Sequence, residues 1–134
     1  MPAKGEKQIR KRLRIAARNA QAAMDQSIQD SAEDLLSRAR VMAPQLSGDL
    51  ILSGDIRKTR GAGGATGRIV FFDEPYAVIR HEDVYNLGPI SRTKSSPDGP
   101  IGRKYLERPF RNHQARYVKD AKDAVLASLR RTFR

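Results

Sequence analysis

The sequence contains no cysteine, and only 6% of its residues are aromatic. Disulfides, thiolate metal sites and cysteine nucleophiles are therefore excluded, so packing or partners must hold the fold together. Long apolar runs are also missing: Ile69–Phe72 and Tyr76–Ile79 fall far below the roughly 20 residues that span a bilayer. The N-terminus lacks the apolar core of a signal peptide. We expect a soluble, unprocessed chain that does not enter a membrane.

Positive charge is what the chain has in excess, with a net charge of +11. Residues 1–20 carry seven basic residues against one acid, residues 103–134 carry ten against three, and residues 21–102 carry nine against eleven. This distribution suits a polyanion such as DNA, an anionic membrane surface or an acidic protein, and it also suits a solvated helix face. The residues we expect to contact DNA or an acidic partner are Lys4, Lys7, Arg10, Lys11, Arg12 and Arg14.

The length of 134 residues fits one domain. We predict an α+β fold, in which a small antiparallel β-sheet is packed by a long N-terminal helix and a C-terminal helix, with a long irregular loop before the last helix. The predicted segments are a long basic helix over residues 1–43, the strands of the sheet over 44–83, an extended loop over 84–102 and the C-terminal helix over 103–134.

Apolar residues recur every three or four positions from about Glu6 to Met42, which predicts one long amphipathic helix. Pro44 ends this helix because the residue before a proline avoids the α region. Such a helix exceeds the width of a domain of this size, so we expect its basic first half to project and meet another subunit or fray. The Ala-rich stripe between Leu13 and Met24 favours close contact with another helix.

Segments rich in β-branched and aromatic residues predict the sheet. We expect one strand from about Leu50 to Arg60, a flexible Gly-rich hairpin loop over 61–67, and two further strands, Arg68–Asp73 and Tyr76–Glu82. The Gly-rich loop lacks the spacing of a P-loop, which argues against a phosphate cradle.

The region after these strands is irregular and then helical. Residues 84–102 contain several Gly and Pro turns and no periodic pattern, which predicts a binding loop that becomes ordered on assembly. A second amphipathic helix follows from about Lys104 or Pro109 to Arg131, with Pro109 in its first turn. Its apolar face is broader than that of the first helix, so we expect it to cover the sheet.

Residues suited to catalysis or metal binding are sparse. His81, Glu82 and Asp83 are adjacent, but in a strand Glu82 would point away from the other two, and the only other histidine, His113, offers no ligand spacing. We expect no enzyme activity, no metal and no cofactor. The basic termini lack a helix-turn-helix, a zinc finger or an aromatic stacking platform, so only non-specific attraction to nucleic acid is expected.

Four short elements occur in a distinctive order. Ala43-Pro44 and Ser47-Gly48-Asp49-Leu50 follow the first helix, Tyr76-Ala77 leads to His81-Glu82, and Gly102-Arg103-Lys104-Tyr105-Leu106-Glu107-Arg108-Pro109 opens the last helix. This order resembles the tail-completion or minor capsid proteins of tailed bacteriophages, a family of neck and head-tail connector proteins. The chain departs from that pattern at Ile51, where an arginine is usual, and in a longer loop over residues 86–102. The matching positions are Pro44, Gly48, Leu50, Tyr76, Ala77, His81, Glu82, Gly102, Tyr105, Leu106 and Pro109.

The resemblance implies a structural virion protein at the head-tail junction, assembled in the host cytoplasm. Its partners would be copies of itself in a ring, a hexamer or a dodecamer, with a portal, adaptor or head-completion protein on one side and a tail-tube or tail-terminator protein on the other. Packaged DNA would make non-specific contact. Two alternatives stay open: a small basic protein that binds nucleic acid non-specifically without a ring and, less favoured, a toxin-like or hydrolytic enzyme around His81.

Overall fold

The N-terminal helix is the longest element of the computed structural model, which describes residues 4–134. Helix α1, Lys4–Met42, has 39 residues and is about 58 Å long at 1.5 Å per residue. It ends two residues before Pro44, as predicted.

Helix α5, Glu107–Thr132, runs antiparallel along α1. Tyr117, near its start, donates a hydrogen bond to Asp34, whereas Phe133, just after its end, lies 5.6 Å from the guanidinium of Arg12. Ala16 is buried, so the Ala-rich stripe does allow close helix contact. The prediction that the basic first half of α1 projects is wrong for most of that half, because α5 runs beside α1 as far as Arg12. Only residues 4–11 of α1 extend beyond the end of α5, by roughly 12 Å.

The sheet is a single antiparallel hairpin of strands β1, Gly54–Arg60, and β2, Thr66–Phe72. Its register runs from Gly54 opposite Phe72 to Arg60 opposite Thr66, and a short 3-10 turn, Ala62–Gly64, lies between the strands. The hairpin lies on α1, whereas α5 packs chiefly on α1, so the expectation that the C-terminal helix covers the sheet is wrong. The α+β class is confirmed.

Two predicted strand segments are helical instead. Residues Asp49–Leu52 form helix α2, so β1 begins at Gly54 rather than at Leu50. Residues Ala77–Glu82 form helix α3 rather than a third strand. In α3, Ala77 is buried and both Val78 and Ile79 are exposed, which is not the alternation of a strand. A short apolar run fits either element by composition, and tertiary packing decides between them.

The hairpin packs tightly against α1 at Gly54. A Cβ atom at that position would lie 2.8 Å from Cε1 of Phe72 and 2.9 Å from Cδ1 of Leu36, so any other residue would force these side chains to move. Arg40, on the same face of α1, donates a hydrogen bond of 2.7 Å to the carbonyl of Gly54. The strand is therefore anchored to the helix at its first residue.

The segment between α3 and α5 is held against α1 within the monomer, and it contains the short helix α4, Pro89–Arg92. Ser91 is buried and exchanges hydrogen bonds with the backbone of Gln45. Lys94 Nζ donates to the carbonyls of Arg40, at 3.2 Å, and Ala43, at 2.6 Å, which caps the C-terminal end of α1. The expectation of a loop that becomes ordered only on assembly is therefore wrong, because these contacts form within one chain.

A compact apolar cluster lies where these elements meet. Its buried members come from the end of α1, from α2, from α3 and from the residues just before α5. They are Met42, Ala43, Leu50, Ala77 and Tyr105, with Ile51, Phe72 and Leu106 packed against them. Through Ala77 and Tyr105, this cluster holds α3 against the residues before α5.

Candidate functional site

Two of the sequence elements that carry the resemblance meet at one place. Helix α3, which contains His81 and Glu82, packs against residues 102–107, and we call this contact the motif junction. The backbone N–H of Lys104 donates to the carbonyl of His81 at 2.7 Å, and Nε of Arg103 donates to the carbonyl of Glu82 at 2.9 Å. These are among the last carbonyls of α3, which a helix end leaves without intrahelical partners. The segment before α5 therefore caps α3.

His81 is the centre of the motif junction. Its Nε2 accepts the backbone N–H of Glu107, the first residue of α5, at 3.2 Å, and its Nδ1 lies 2.8 Å from Oε1 of Glu82. This pair of contacts fits a neutral imidazole that carries its proton on Nδ1. Both ring nitrogens are therefore used in structural hydrogen bonds. His81 satisfies a free N–H at the start of α5, which is a capping role.

Glu82 and Lys104 form the ionic part of the junction. Lys104 Nζ pairs with the Glu82 carboxylate and also lies 3.2 Å from Glu107. The hydrogen bond from Lys104, followed by the contact with His81, lowers the pKa of Glu82 below its usual value. Hydrogen bonding to Glu82 likewise raises the pKa of Lys104. Lys104 thereby holds the end of α3 to the start of α5, and it pairs with the carboxylates of both Glu82 and Glu107.

Tyr105 forms the apolar floor of the junction. Its ring is buried and lies edge-on to Phe72 and to His81, with centroids 5.1 Å apart in each pair. The hydroxyl donates a hydrogen bond of 3.1 Å to the carbonyl of Ala77. Burial raises the pKa of Tyr105 to about 12. Tyr105 thus locks the start of α3 to the segment before α5.

Gly102 closes the junction against the end of α1. Its N–H donates to the carbonyl of Met42 at 2.8 Å, and its φ of +107° lies in a region that side chains disfavour. A Cβ atom here would lie 3.1 Å from Cδ2 of Leu87 and 3.3 Å from the hydroxyl of Tyr85. The backbone angle therefore favours glycine at this position, and any other residue would also crowd Leu87 and Tyr85.

The other motif positions have comparable packing roles. Leu50 and Ala77 are in the apolar cluster, Leu106 packs against it and Pro109 is fully buried. Gly48 precedes α2 with a φ of +91°. Tyr76 stays half-exposed and lines a cleft of about 370 Å³ together with Arg80 and Tyr85. Most of the predicted site residues thus come together as a packing centre.

A polar network that sequence reasoning missed is centred on Asp98. This buried carboxylate accepts hydrogen bonds from His113, at 2.6 Å, Arg38, at 3.3 Å, and Asn112, at 3.4 Å. Burial acts to raise the pKa of Asp98, but these hydrogen bonds outweigh burial and hold the pKa below its usual value. Arg38 also donates to Asp34 at 2.9 Å. The network ties residues 98–113 to α1, and the Pro-Asp-Gly-Pro pattern around Asp98 indicated only a turn.

Two further carboxylates of α1 hold neighbouring elements. Asp25 accepts from Arg68 at 3.0 Å and from the hydroxyl of Thr66 at 2.8 Å, and these hydrogen bonds lower the pKa of Asp25 to about 2. Asp34 accepts from the hydroxyl of Tyr117 and from Arg116, both at 2.6 Å. Burial raises the pKa of Tyr117 to about 12, and the hydrogen bond to Asp34 adds to that effect. The hairpin and α5 are thereby fixed to α1.

The basic residues predicted to bind a polyanion are exposed along the first turns of α1. Arg10 pairs with Glu6 at 2.6 Å, and Arg12 lies over the ring of Phe133. The antiparallel course of α5 brings a second basic segment, residues 130–134, to the same end of the molecule. The sequence could not show that the two basic termini lie together.

Large apolar side chains are exposed at the opposite end, on the short elements around the motif junction. Five of them are between 56% and 87% exposed, and we call this set the apolar end face: Leu46, Leu52, Val78, Ile79 and Val84. A second apolar surface, the side groove, has a volume of about 740 Å³ and lies where α1, β2 and α5 meet. Met24, Ile28, Val70, Val118 and Val125 are among its lining residues.

Within residues 4–134, no group of three or more His, Asp or Glu side chains is placed to hold a metal ion. None of the helices in that range is long and apolar enough to cross a membrane. No protein-family model, curated protein or solved structure matches this chain.

Proposed function

We propose that this chain is a structural subunit of the neck of a tailed bacteriophage, where copies of it form a ring that joins the head to the tail. The observation that carries the proposal is the apolar end face, whose five members are between 56% and 87% exposed. Large apolar patches on a protein surface commonly mark sites of association, since burying them is favourable by about 25 cal/mol per Å².

The side groove supports a ring rather than a two-fold dimer. A cyclic ring of identical subunits is heterologous, so each subunit must offer two different surfaces that fit each other. The apolar end face and the side groove are two different apolar surfaces, and they lie on different parts of the chain. We propose that the end face of one copy contacts the side groove of the next.

The motif junction supports the resemblance to the tail-completion proteins. The elements behind that resemblance are far apart in sequence, yet Leu50, Ala77 and Tyr105 share one apolar cluster. A shared sequence pattern would be expected at positions that build the frame of a subunit. The proposed partners on the two faces of the ring are a portal, adaptor or head-completion protein and a tail-tube or tail-terminator protein.

Light scattering on the purified chain tests the assembly. The double variant Val78→Asp, Val84→Asp places charges on the apolar end face, and Val118→Asp places one in the side groove. We expect the wild-type chain to form one oligomer of defined mass and both variants to become monomeric. The control is Ala62→Asp, Ala65→Asp, which adds the same charge at the exposed tip of the hairpin and should leave the mass unchanged.

The alternative is a small basic protein that binds nucleic acid non-specifically and acts without a ring. The observation that favours it is the meeting of both basic termini at one end of the α1–α5 pair. The light-scattering experiment separates the two functions, since this alternative requires a wild-type chain that remains monomeric at every concentration tested.

A further inference from the structure

Five basic residues form a straight line along the first half of α1, which we call the cationic stripe: Lys4, Lys7, Lys11, Arg14 and Arg18. Their spacing of three, four, three and four residues places them on one face of the helix. The line is about 21 Å long at 1.5 Å per residue. All five residues are exposed.

A second basic segment lies beside this part of α1. Arg12 lies over Phe133, and Arg131 shares a surface hollow with Ile15 and Asn19 of α1. The chain therefore brings Arg130, Arg131 and Arg134 to the same end as the cationic stripe. Together, residues 4–18 and 128–134 contain ten basic residues and one acid, Glu6.

The basic residues of this end differ from those of the body of the molecule. Arg38, Arg68 and Lys104 each pair with a carboxylate that ties two elements together. At the basic end, the single acid is already paired with Arg10. In the described part of the chain, the cationic stripe thus has no local acid left to neutralise it, so its charges serve no evident role in folding.

We propose that the cationic stripe and the three C-terminal arginines form one binding surface for the phosphate backbone of duplex DNA. A regular line of cations without intervening acids fits a polymer with regularly repeated charge, and 21 Å spans about six base pairs at 3.4 Å each. The only aromatic residue of this end is Phe133, which Arg12 covers, so stacking of single-stranded bases is not provided for. Binding depends on charge and not on base sequence.

This surface deepens the proposed function by giving the neck subunit a contact with the DNA that passes through the ring, but its test does not depend on ring formation. A purified chain that binds DNA and stays monomeric would keep this inference and overturn the ring. A purified chain that assembles into a ring but does not bind DNA would keep the ring and overturn this inference.

The measurement is the fluorescence anisotropy of a labelled 20-base-pair duplex, titrated with the purified chain at several salt concentrations. Eight phosphate contacts, one for each stripe residue and each C-terminal arginine, predict that affinity falls by about 10⁴-fold between 50 mM and 200 mM salt. Two duplexes of unrelated sequence should bind equally. Absence of binding at 50 mM salt overturns the proposal.

Three variants with the same loss of charge locate the surface. The first removes part of the stripe, Lys7→Gln, Lys11→Gln, Arg14→Gln, and the second removes the C-terminal arginines, Arg130→Gln, Arg131→Gln, Arg134→Gln. The control removes exposed charges elsewhere, Arg57→Gln, Arg60→Gln, Arg92→Gln.

We expect the stripe variant to reduce the slope of log affinity against log salt by about three units, the C-terminal variant to reduce it as well, and the control to leave it unchanged. A control variant whose slope falls as much as that of the stripe variant would show that net charge attracts DNA diffusely, and this result would overturn the proposed surface. Competition by polyglutamate at a charge concentration equal to that of the duplex identifies the partner: weak competition supports DNA, and stronger binding of polyglutamate points to an acidic protein and overturns the proposal.

Discussion

His81 and Glu107 are 26 positions apart in the chain, yet the backbone N–H of Glu107 donates a hydrogen bond of 3.2 Å to Nε2 of His81. One side chain of α3 thus provides the cap for the first turn of α5. This contact gives the histidine followed by a glutamate a structural role: Glu82 lies against Nδ1 of the ring, and Nε2 faces the start of α5.

Replacing His81 by alanine should destabilise the chain without changing its oligomeric state. The substitution removes the hydrogen bond to the start of α5 and the edge contact with Tyr105, so we expect a loss of about 1–2 kcal/mol in the free energy of unfolding. Urea denaturation followed by circular dichroism measures it. Gln114→Ala, on the exposed surface of α5, is the control, and equal stability of the two variants would contradict the capping role.

Replacing Gly102 by alanine should cost about 1–3 kcal/mol, because the backbone there has a φ of +107° and the new Cβ would crowd Leu87 and Tyr85. Gly88 provides a matched control, since its φ is −72° and nothing lies within 4 Å of a Cβ atom at that position. Gly88→Ala should be neutral or stabilising by about 0.4–1 kcal/mol. Thermal unfolding measures the stability of both variants. A Gly102→Ala variant as stable as wild type would contradict the packing of Gly102 in the motif junction.

Acid should destabilise the fold through the carboxylates that hold the hairpin and α5 to α1. The pKa of Asp25 is lowered to about 2 in the folded chain from an ordinary value of 3.8, and the pKa values of Asp34 and Asp98 are also lowered. The unfolded chain therefore takes up protons first as pH falls, so stability that is present above about pH 4 is lost towards pH 2.

The free energy of unfolding measured from pH 6 to pH 2 checks this dependence. Asp25→Asn should be less stable than wild type at pH 6 and should lose less stability on acidification, because the titrating group is gone. The control is Asp73→Asn, an exposed residue just after β2. Identical pH profiles for wild type and Asp25→Asn would refute the role of the Asp25–Arg68 pair.

The two long helices could be predicted from the sequence because their apolar periodicity continues over many turns. The hairpin was also predicted, but its first strand begins at Gly54 rather than at Leu50, because Asp49–Leu52 forms α2. Residues Tyr76–Glu82 were predicted as strand because the four apolar residues at their start carry too little periodicity to separate helix from strand. Packing of Ala77 into the apolar cluster and capping of α3 by residues 103–104 determine the outcome.

The roles of the irregular segment and of the motif residues depended on contacts that no local pattern reveals. Lys94 reaches the carbonyl of Ala43, 51 positions earlier, and Asp98 meets side chains from both long helices. Turn-forming composition predicted a loop at these positions but not where the loop would dock. The same holds for the two basic termini, which the antiparallel pairing of α1 and α5 brings together.

We propose that copies of this chain close into a ring, and electron microscopy of the purified protein shows directly whether they do. We expect class averages of closed rings with a central channel and a single copy number, and isolated subunits for the Val78→Asp, Val84→Asp variant. Wild-type images that contain only monomers or irregular aggregates, at concentrations where light scattering is also measured, would contradict it.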